Sequence, residues 1–369
     1  MNRMNAANWD NLLILQTSFL GDMILTLPLI TEVRRRFPVG KLSLVCQPLS
    51  RELLQDHPAI DEIIVDDKKY ADRGFGGLRR KAAFLAGKHF TLALTPHKSL
   101  RSALLLFLAG IPSRVGFAQS RGWFLYHQRV SRDPARHDVE RNLSLLEGFG
   151  VSAGECRGTI DLPISPAVQT EVDRKLRALG VRENQPLIGI HPGSVWPTKR
   201  WSRQGFSRLI HLLVEKFDCQ AALFGGPQDA SVVDDVLAGC DRAAISLVGH
   251  INMRELPAAI RRCRVFVTND SGPMHIAVAE RVPTVALFCA TTPNQGFFPY
   301  TQHAIVIEKK LSCRPCASHG GQRCPLGTEA CMRLIEPARV LQEVEKLLWD
   351  GHFVNKSRVD SFQPAFVYV

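Results

Sequence analysis

The chain has 369 residues, 45% of them hydrophobic and 22% charged, with a formal net charge of +11. This length suits two domains of ordinary size, and the composition excludes a disordered or fibrous protein. No stretch reaches the roughly 18 consecutive apolar residues of a membrane span, and no signal-peptide pattern opens the chain, so a cytoplasmic location with mostly reduced thiols is expected.

The first half alternates strand-like and helix-like segments. "NLLILQT" (11–17) reads as a strand and "MILTLPLITEVRRRF" (23–37) as a helix with a basic last turn, which suits the helix dipole. "KLSLVCQ" (41–47), "IDEIIVDD" (60–67) and "FTLALTP" (90–96) read as further strands. A short helix, "SRELLQDHP", and a basic helical stretch separate them. "HDVERNLSLLEGFGV" (137–151) reads as a helix ending near glycine. Between the first strand and first helix stand Gly21 and Asp22. A carboxylate there can cap the helix by accepting from its free N–H groups, or it can serve as a catalytic base.

From Arg73 to Arg132 the chain carries eleven Lys or Arg and no Asp or Glu, with Phe75, Phe84, Phe117, Trp123, Phe124 and Tyr126 interleaved. Such a segment is either a solvated basic face or a surface for a polyanion. No zinc-finger, helix-turn-helix or RNA-binding signature accompanies it, so nucleic acid is not the expected partner; anionic lipid or a charged substrate is.

Residues 162–186, with prolines at both ends and a polar helix, read as a connector. A second alternating series follows. "PLIGIHPG" (186–193) runs as a strand into a polar loop holding His191, Ser194, Thr198 and Lys199, with a helix expected near Trp201. Such a loop can offer N–H groups, hydroxyls and an ammonium to a phosphate, although it is not a P-loop. "CQAALFGGP" (219–227) runs into Gly225 and Gly226, followed by Asp229, which suits a ribose hydroxyl or a helix N-cap equally. "RVFVTND" (264–270) ends in Asp270 and Ser271, and Gly272 and Pro273 open a helix carrying His275. Free N–H groups at that start make an anion site. Three such loops point to a nucleoside diphosphate, and the absence of G-x-G-x-x-G argues against a dinucleotide. Strands alternating with helices predict parallel sheets covered on both faces, in two doubly wound domains.

Near the C-terminus, Cys313, Cys316, Cys324 and Cys331 are spaced C-x₂-C-x₇-C-x₆-C. Four thiols this close suit a structural zinc or iron; a disulfide or free thiols remain the other readings.

Together, "SFLGDMILTLPLI", "HPGSVWPTKRW", "GGPQD" and "NDSGPMHIAVA" resemble the ADP-heptose:lipopolysaccharide heptosyltransferases (glycosyltransferase family 9). The "CRPC…CPLG…C" tail looks most like the heptosyltransferase II branch. The resemblance implies a GT-B fold, two Rossmann-like domains facing across a cleft. Residues 1–161 would bind the acceptor and 187–345 the nucleotide sugar, with the cysteine knuckle at 313–331 and an extension at 346–369. It implies an inverting transfer of heptose from ADP-heptose to the Kdo/heptose inner core of lipopolysaccharide, with no cofactor for catalysis, at the cytoplasmic face of the inner membrane. Asp22 matches the family's general base and Lys199 the lysine on the donor phosphates. Asp270, Ser271, Gly272 and His275 match the diphosphate and sugar loop, and Asp229 the ribose acid. His191, Ser194, Thr198, Gly225 and Gly226 complete the expected donor site. Ser18, His97, Lys98, Arg101 and Arg121 are expected at the acceptor, with His97 and His137 the alternative bases. A related enzyme on another nucleotide sugar, transferase or epimerase, is the rival reading; a polyanion-binding module would leave Asp22 and Lys199 unexplained.

Overall fold

The computed structural model describes residues 10–37, 40–349 and 362–369. Its contacts divide the chain into two compact units, Met1–Pro163 and Ile164–Val369.

In the first unit the order is β1 (Asn11–Gln16), α1 (Leu20–Ile24), α2 (Leu27–Arg36), β2 (Lys41–Cys46), α3 (Pro48–Leu54), β3 (Glu62–Val65), α4 (Gly74–Ala86), β4 (Leu92–Thr95), α5 (Leu100–Leu108), β5 (Ser113–Phe117), β6 (Gln128–Val130) and α6 (Asp138–Leu143). The six strands form one parallel sheet in the order β3-β2-β1-β4-β5-β6. Leu12–Leu15 are fully buried, as expected of a central strand covered on both faces. Leu78, Ala82 and Leu85 of α4 and Leu105 and Leu106 of α5 close one face. The single helix expected over 23–37 is two. Pro28 lacks the N–H that a continuous helix would need at that point, and it stands instead in the first turn of α2. Strands β5 and β6 lie inside the basic segment and lack a strand pattern. Arg114 interrupts the first, its guanidinium donating to the Leu125 and Ile111 carbonyls, and the second has three residues.

The second unit runs α7 (Pro166–Ala178), β7 (Leu187–His191), α8 (Arg203–Lys216), β8 (Gln220–Leu223), α9 (Ala230–Ala238), β9 (Ala244–Ser246), α10 (Leu256–Arg261), β10 (Val265–Asn269), α11 (Gly272–Ala279), β11 (Thr284–Phe288), β12 (Ala304–Glu308), α12 (Ala330–Arg333), α13 (Pro337–Trp349) and β13 (Ala365–Tyr368). Its seven-stranded parallel sheet is ordered β13-β12-β11-β10-β7-β8-β9. The helix expected in the connector is α7, which belongs to this unit and packs on α10. Of the expected extension 346–369, residues 350–361 lie outside the described residues. Ala365–Tyr368 pair with β12 as an edge strand, and Lys310 sits over the Tyr368 ring.

Both sheets follow the same course: three strands outward in one direction, then a return to start again beside the first. The reversal falls between β1 and β4 in one unit and between β7 and β10 in the other. Ligands of open parallel sheets bind beyond the strand ends at such reversals. Among the described residues no helix is long and apolar enough to cross a membrane.

Candidate functional site

Past the end of β1, Phe19 stands at the N-cap of α1 and Asp22 is its third helical residue. Asp22 Oδ2 accepts from the Phe19 N–H at 3.2 Å and from Ser18 Oγ at 2.8 Å. The carboxylate therefore does reach back to cap the helix start. Both donors fix its orientation and stabilise its charged form. Ser18, expected at the acceptor, is spent on holding Asp22. The turn is held from outside by Gln47 Nε2, which donates to the Thr17 carbonyl at 2.8 Å, and by Lys68 Nζ, which donates to the same carbonyl. Lys68 went unnoticed in the sequence. Its signal was the polar "DDKKY" following a strand. Burial lowers its pKa, while Asp66 and Asp22 raise it, so it lies within electrostatic reach of the Asp22 carboxylate.

At the end of the neighbouring β4, His97 Nδ1 lies 2.8 Å from Ser102 Oγ and 3.2 Å from Thr17 Oγ1. Burial, with Lys68, Arg101 and Lys98 nearby, pushes its pKa down to about 4, so the ring is neutral near pH 7. Lys98 and Arg121 are exposed, joined by a backbone bond from Arg121 N–H to the Lys98 carbonyl. Arg101 differs from the expectation. Its guanidinium grips the fully buried Asp66 with both nitrogens and donates to the Asp72 carbonyl at 2.9 Å. The pair fixes the guanidinium on Asp66 while leaving the Arg101 side chain 24% exposed. His137 is the N-cap of α6, accepting from the Val139 N–H.

In the second unit the strand ends are knitted together by side chains. Asn269 Nδ2 donates to the Pro192 and Gly193 carbonyls, and its Oδ1 accepts from the Trp201 N–H at 2.9 Å. Asn269, also missed in the sequence, locks the loop after β7 onto β10. Lys199 Nζ lies 2.6 Å from Asp270 Oδ2, which also accepts from Thr291 Oγ1 at 2.7 Å. His191 Nδ1 lies 3.3 Å from Ser271 Oγ and 3.4 Å from Thr268 Oγ1. On its other side His191 Nε2 is 3.9 Å from Asp229 Oδ2. Burial pushes His191 down to about 4 against the pull of Asp229. His275 behaves alike, with Asp270 raising and Lys199 lowering it. Its Nδ1 is buried with no hydrogen-bond partner.

Asp229 occupies the N-cap position of α9 but makes no cap bond there; its Oδ2 accepts instead from the Gly226 N–H at 3.1 Å and from Gln228. With 4% exposure, it orders the Gly225–Gly226 turn and His191 rather than facing solvent. A side chain at Gly193 would meet Asp229 Oδ1 at 2.4 Å and would push the carboxylate out of this arrangement. Thr198, expected at the donor, is tied to the cysteine-rich loop. Its hydroxyl donates to the Gly321 carbonyl at 3.0 Å and accepts from the Gly321 N–H at 2.8 Å. The helix after this loop starts at Arg203, capped by Ser202, two residues later than expected. The Ser194 carbonyl accepts from Arg200. The start of α11, next to the Asp270 that Lys199 pairs with, offers the Gly272 N–H, since Pro273 has none and the Met274 N–H donates to the Ser271 carbonyl.

The cysteine-rich loop braces these strand ends. Besides the Thr198 tie, the buried Arg314 pairs with Glu308 and donates to carbonyls at 288, 289 and 291. Cys313, Cys316, Cys324 and Cys331 lie within electrostatic reach of one another. Burial raises Cys331 to about 11, whereas N–H groups of Glu329, Leu326 and Gly327 lower Cys324. In number and softness the donors fit zinc or iron. Their placement does not close a shell: among the described residues no three His, Cys, Asp or Glu side chains are set to hold one ion. Cys331 is anchored in α12, and the Cys324 sulfur is turned into its own backbone turn.

Comparisons with known proteins bear on this geometry. The family model described as glycosyltransferase family 9 (heptosyltransferase) matches residues 78–324. Lipooligosaccharide heptosyltransferase 2 of Haemophilus ducreyi is 29% identical over 361 residues, covering 91% of this chain and 99% of its own. A glycosyl transferase family 9 structure from Veillonella parvula matches with a TM-score of 0.83 at 26% identity, over 94% of this chain and 99% of the other. The ADP-heptose LPS heptosyltransferase II of Escherichia coli matches with a TM-score of 0.74 at 26% identity, over 92% and 98%.

Proposed function

The chain belongs to glycosyltransferase family 9 (heptosyltransferase), and from that premise we propose that it moves heptose from ADP-heptose to the Kdo/heptose inner core of lipopolysaccharide, inverting the anomeric carbon. The observation that carries the mechanism is the Asp22 carboxylate, held by Ser18 and the Phe19 N–H at the reversal point of the first sheet. Asp22 takes the proton of an acceptor hydroxyl as that oxygen bonds to the heptose C1. The bond from C1 to the diphosphate oxygen breaks in the same displacement, and ADP departs with the electron pair. Lys199 and the Gly272 N–H at the positive end of α11 stabilise the charge that grows on the leaving phosphate. His191, Ser271 and Asp229 act as positioning residues for those loops. Lys98, Arg121 and Lys68 supply positive charge for an anionic acceptor, and the protein works peripherally on the cytoplasmic face of the inner membrane.

No cofactor enters this chemistry. Zinc or iron, if carried, would be held by Cys313, Cys316, Cys324 and Cys331 and would stiffen the loop that ties Thr198 and Arg314; elemental analysis of reduced, unchelated protein reads this as about one ion per chain or none.

The test of the transfer reaction is a panel of nucleotide sugars against core-truncated lipopolysaccharides, with product detected by mass. ADP released from ADP-heptose only when acceptor is present, with a heptose added to the acceptor, supports the reading. Turnover of a different nucleotide sugar, or sugar epimerisation without acceptor, replaces it with the rival enzyme.

A further inference from the structure

One surface of the first unit is not used by this chemistry. Helices α4 and α5 turn Leu78, Ala82, Leu85, Leu105 and Leu106 onto the sheet. Their outer sides, with the short turn at Trp123–Leu125, carry large apolar side chains in water: Phe84 at 50% exposure, Phe107 at 47%, Trp123 at 46% and Phe124 at 58%, while Phe75, 64% exposed, opens α4 at the end of the Leu78 stripe. Scattered singly, such residues are ordinary; three neighbouring elements bearing them are not. α5 packs against α4 and against the turn, so the three elements are contiguous.

Cations lie beside these rings. Exposed Arg129 lies 4.6 Å from the centroid of Trp123; Lys88 Nζ, 5.2 Å from that of Phe84, is also paired with Glu62, and Arg114, 5.3 Å from that of Phe107, is buried against the Leu125 and Ile111 carbonyls. Arg79 and Arg80 stand exposed on α4 and make no ion pair among the described residues. The whole stretch from Arg73 to Arg132 contributes no carboxylate.

We propose that the outer side of α4 and α5 with the Trp123–Leu125 turn is a docking surface for an anionic lipid bilayer, the rings entering the headgroup layer while the neighbouring Lys and Arg stay at the phosphates. The chemistry selects this occupant. The segment offers its occupant cations and no carboxylate, which fits a uniformly anionic surface rather than the mixed charge of a protein surface. A soluble polyanion is met by the cations and gives the rings nothing to enter. A bilayer surface rewards both: aromatic rings sit at headgroup level, long cationic side chains reach for phosphates, and an anionic leaflet attracts the charge. The inference rests on the reading of the acceptor as a lipid-anchored saccharide, which such an enzyme must meet at the membrane surface.

The experiment is sedimentation of the full chain with vesicles of phosphatidylcholine containing phosphatidylglycerol, against phosphatidylcholine alone and against soluble heparin. Binding should require the anionic lipid and weaken with salt. Arg79→Glu/Arg80→Glu should weaken it at least tenfold, since each basic residue near an anionic surface is worth roughly fivefold. Phe84→Ala/Phe107→Ala should weaken vesicle binding several-fold and leave heparin binding unchanged, with an unaltered thermal melt. Brominated lipid should quench tryptophan fluorescence, and Trp123→Phe should abolish that quenching, which keeps the test open if a double variant folds poorly. No binding to anionic vesicles, binding indifferent to both double variants, or a ring variant without effect while the charge variant acts equally on heparin overturns the proposal. Transfer to a water-soluble core saccharide is measured on the same proteins. Its failure alone would defeat the transferase reading and leave the surface standing; normal transfer without vesicle binding would do the reverse.

Discussion

The two sheets run the same course, yet the loops at their reversal points are built oppositely. After β7 and β10, charged and polar groups are buried and matched with one another: Lys199 with Asp270, His191 with Ser271, Thr198 with Gly321, Asn269 with Pro192 and Gly193. After β1 and β4, one carboxylate is held in place while Lys98 and Arg121 stand in solvent. Burying polar groups is costly unless they are satisfied, so the second arrangement is preorganised and rigid. It suits a small, doubly charged ligand of fixed shape. The first suits a large acceptor that brings its own charges and is met along a surface.

The strongest way to break this contrast is Asp22→Asn. Asparagine keeps the size and can still accept from Phe19 N–H and Ser18, so the helix start survives. A general base contributes about 10²–10⁴-fold. The expected outcome is an unchanged melt, unchanged ADP-heptose binding, and kcat lower by at least about a hundredfold. Near-normal kcat would reduce Asp22 to a cap and leave the first unit with no assigned chemistry. Next, Lys199→Gln removes the donor proposed for the leaving phosphate, and losing one such donor typically costs about 10²–10³-fold in kcat. Because Asp270 then loses its partner, Lys199→Gln/Asp270→Asn is the control; rescue of the melt without rescue of turnover assigns the lysine to the leaving group.

These two residues show how far the sequence could be read. Asp270 and Ser271 follow the apolar strand β10 directly, and Asp22 and Lys199 stand in the segments that leave β1 and β7, where a parallel sheet meets its ligands; the pattern marks the places, and the family resemblance supplies the roles expected of them. Arg101 lies in an equally suggestive basic run, but its role is decided by Asp66, thirty-five positions away in sequence. Thr198 is decided by Gly321 at a separation of 123. Periodicity cannot reveal which polar side chain the fold has already satisfied. For the same reason β5, interrupted by a buried arginine that two carbonyls satisfy, escapes a pattern based on apolar runs.

Arg101→Gln sharpens the contrast on the stability side. It leaves the fully buried Asp66 without its cation, a class of change that costs about 3–5 kcal/mol. The melt should fall while acceptor KM in the surviving folded protein hardly moves, whereas Lys98→Gln should raise acceptor KM without touching the melt. The opposite pattern would return Arg101 to the acceptor site.

Acid should act on both units, since burial also lowers His57 and His127 of the first. His97, His191 and His275 each titrate at about 4 when folded, against an ordinary 6.5. Between these values the unfolded chain takes up protons that the folded chain refuses. Stability is therefore complete above pH 6.5 and is lost as pH falls toward 4, at up to about 1.4 kcal/mol per pH unit for each ring. Thermal melts across that window should flatten when His191 and His275 are replaced by Gln, and flatten less for His97→Gln alone. No change in slope for the double variant would mean that carboxylates elsewhere set the acid limit.

The smallest expected effect concerns Thr198, and it decides whether the buried network serves the ligand directly. Thr198→Val keeps the shape of the side chain and removes both hydroxyl bonds to Gly321. A net hydrogen bond is worth about 0.5–1.5 kcal/mol, and the Gly321 N–H left behind adds to the loss, while the Gly321 carbonyl keeps the Thr198 backbone N–H. If the hydroxyl only ties the cysteine-rich loop to the turn before Arg203, the melt should drop by that order and donor KM should rise a few-fold. Lys199 follows Thr198 directly and shares its loosened turn; a side chain at Gly320 would come within 2.9 Å of Lys199 Cγ. Oxidising or chelating the four thiols should then reproduce the same modest rise, since the loop is the common element. If instead the hydroxyl meets a phosphate, the donor affinity should fall at least tenfold with the melt unmoved, and thiol treatment should not mimic it. The ratio of KM change to melting change in this one variant separates a bracing residue from a ligand.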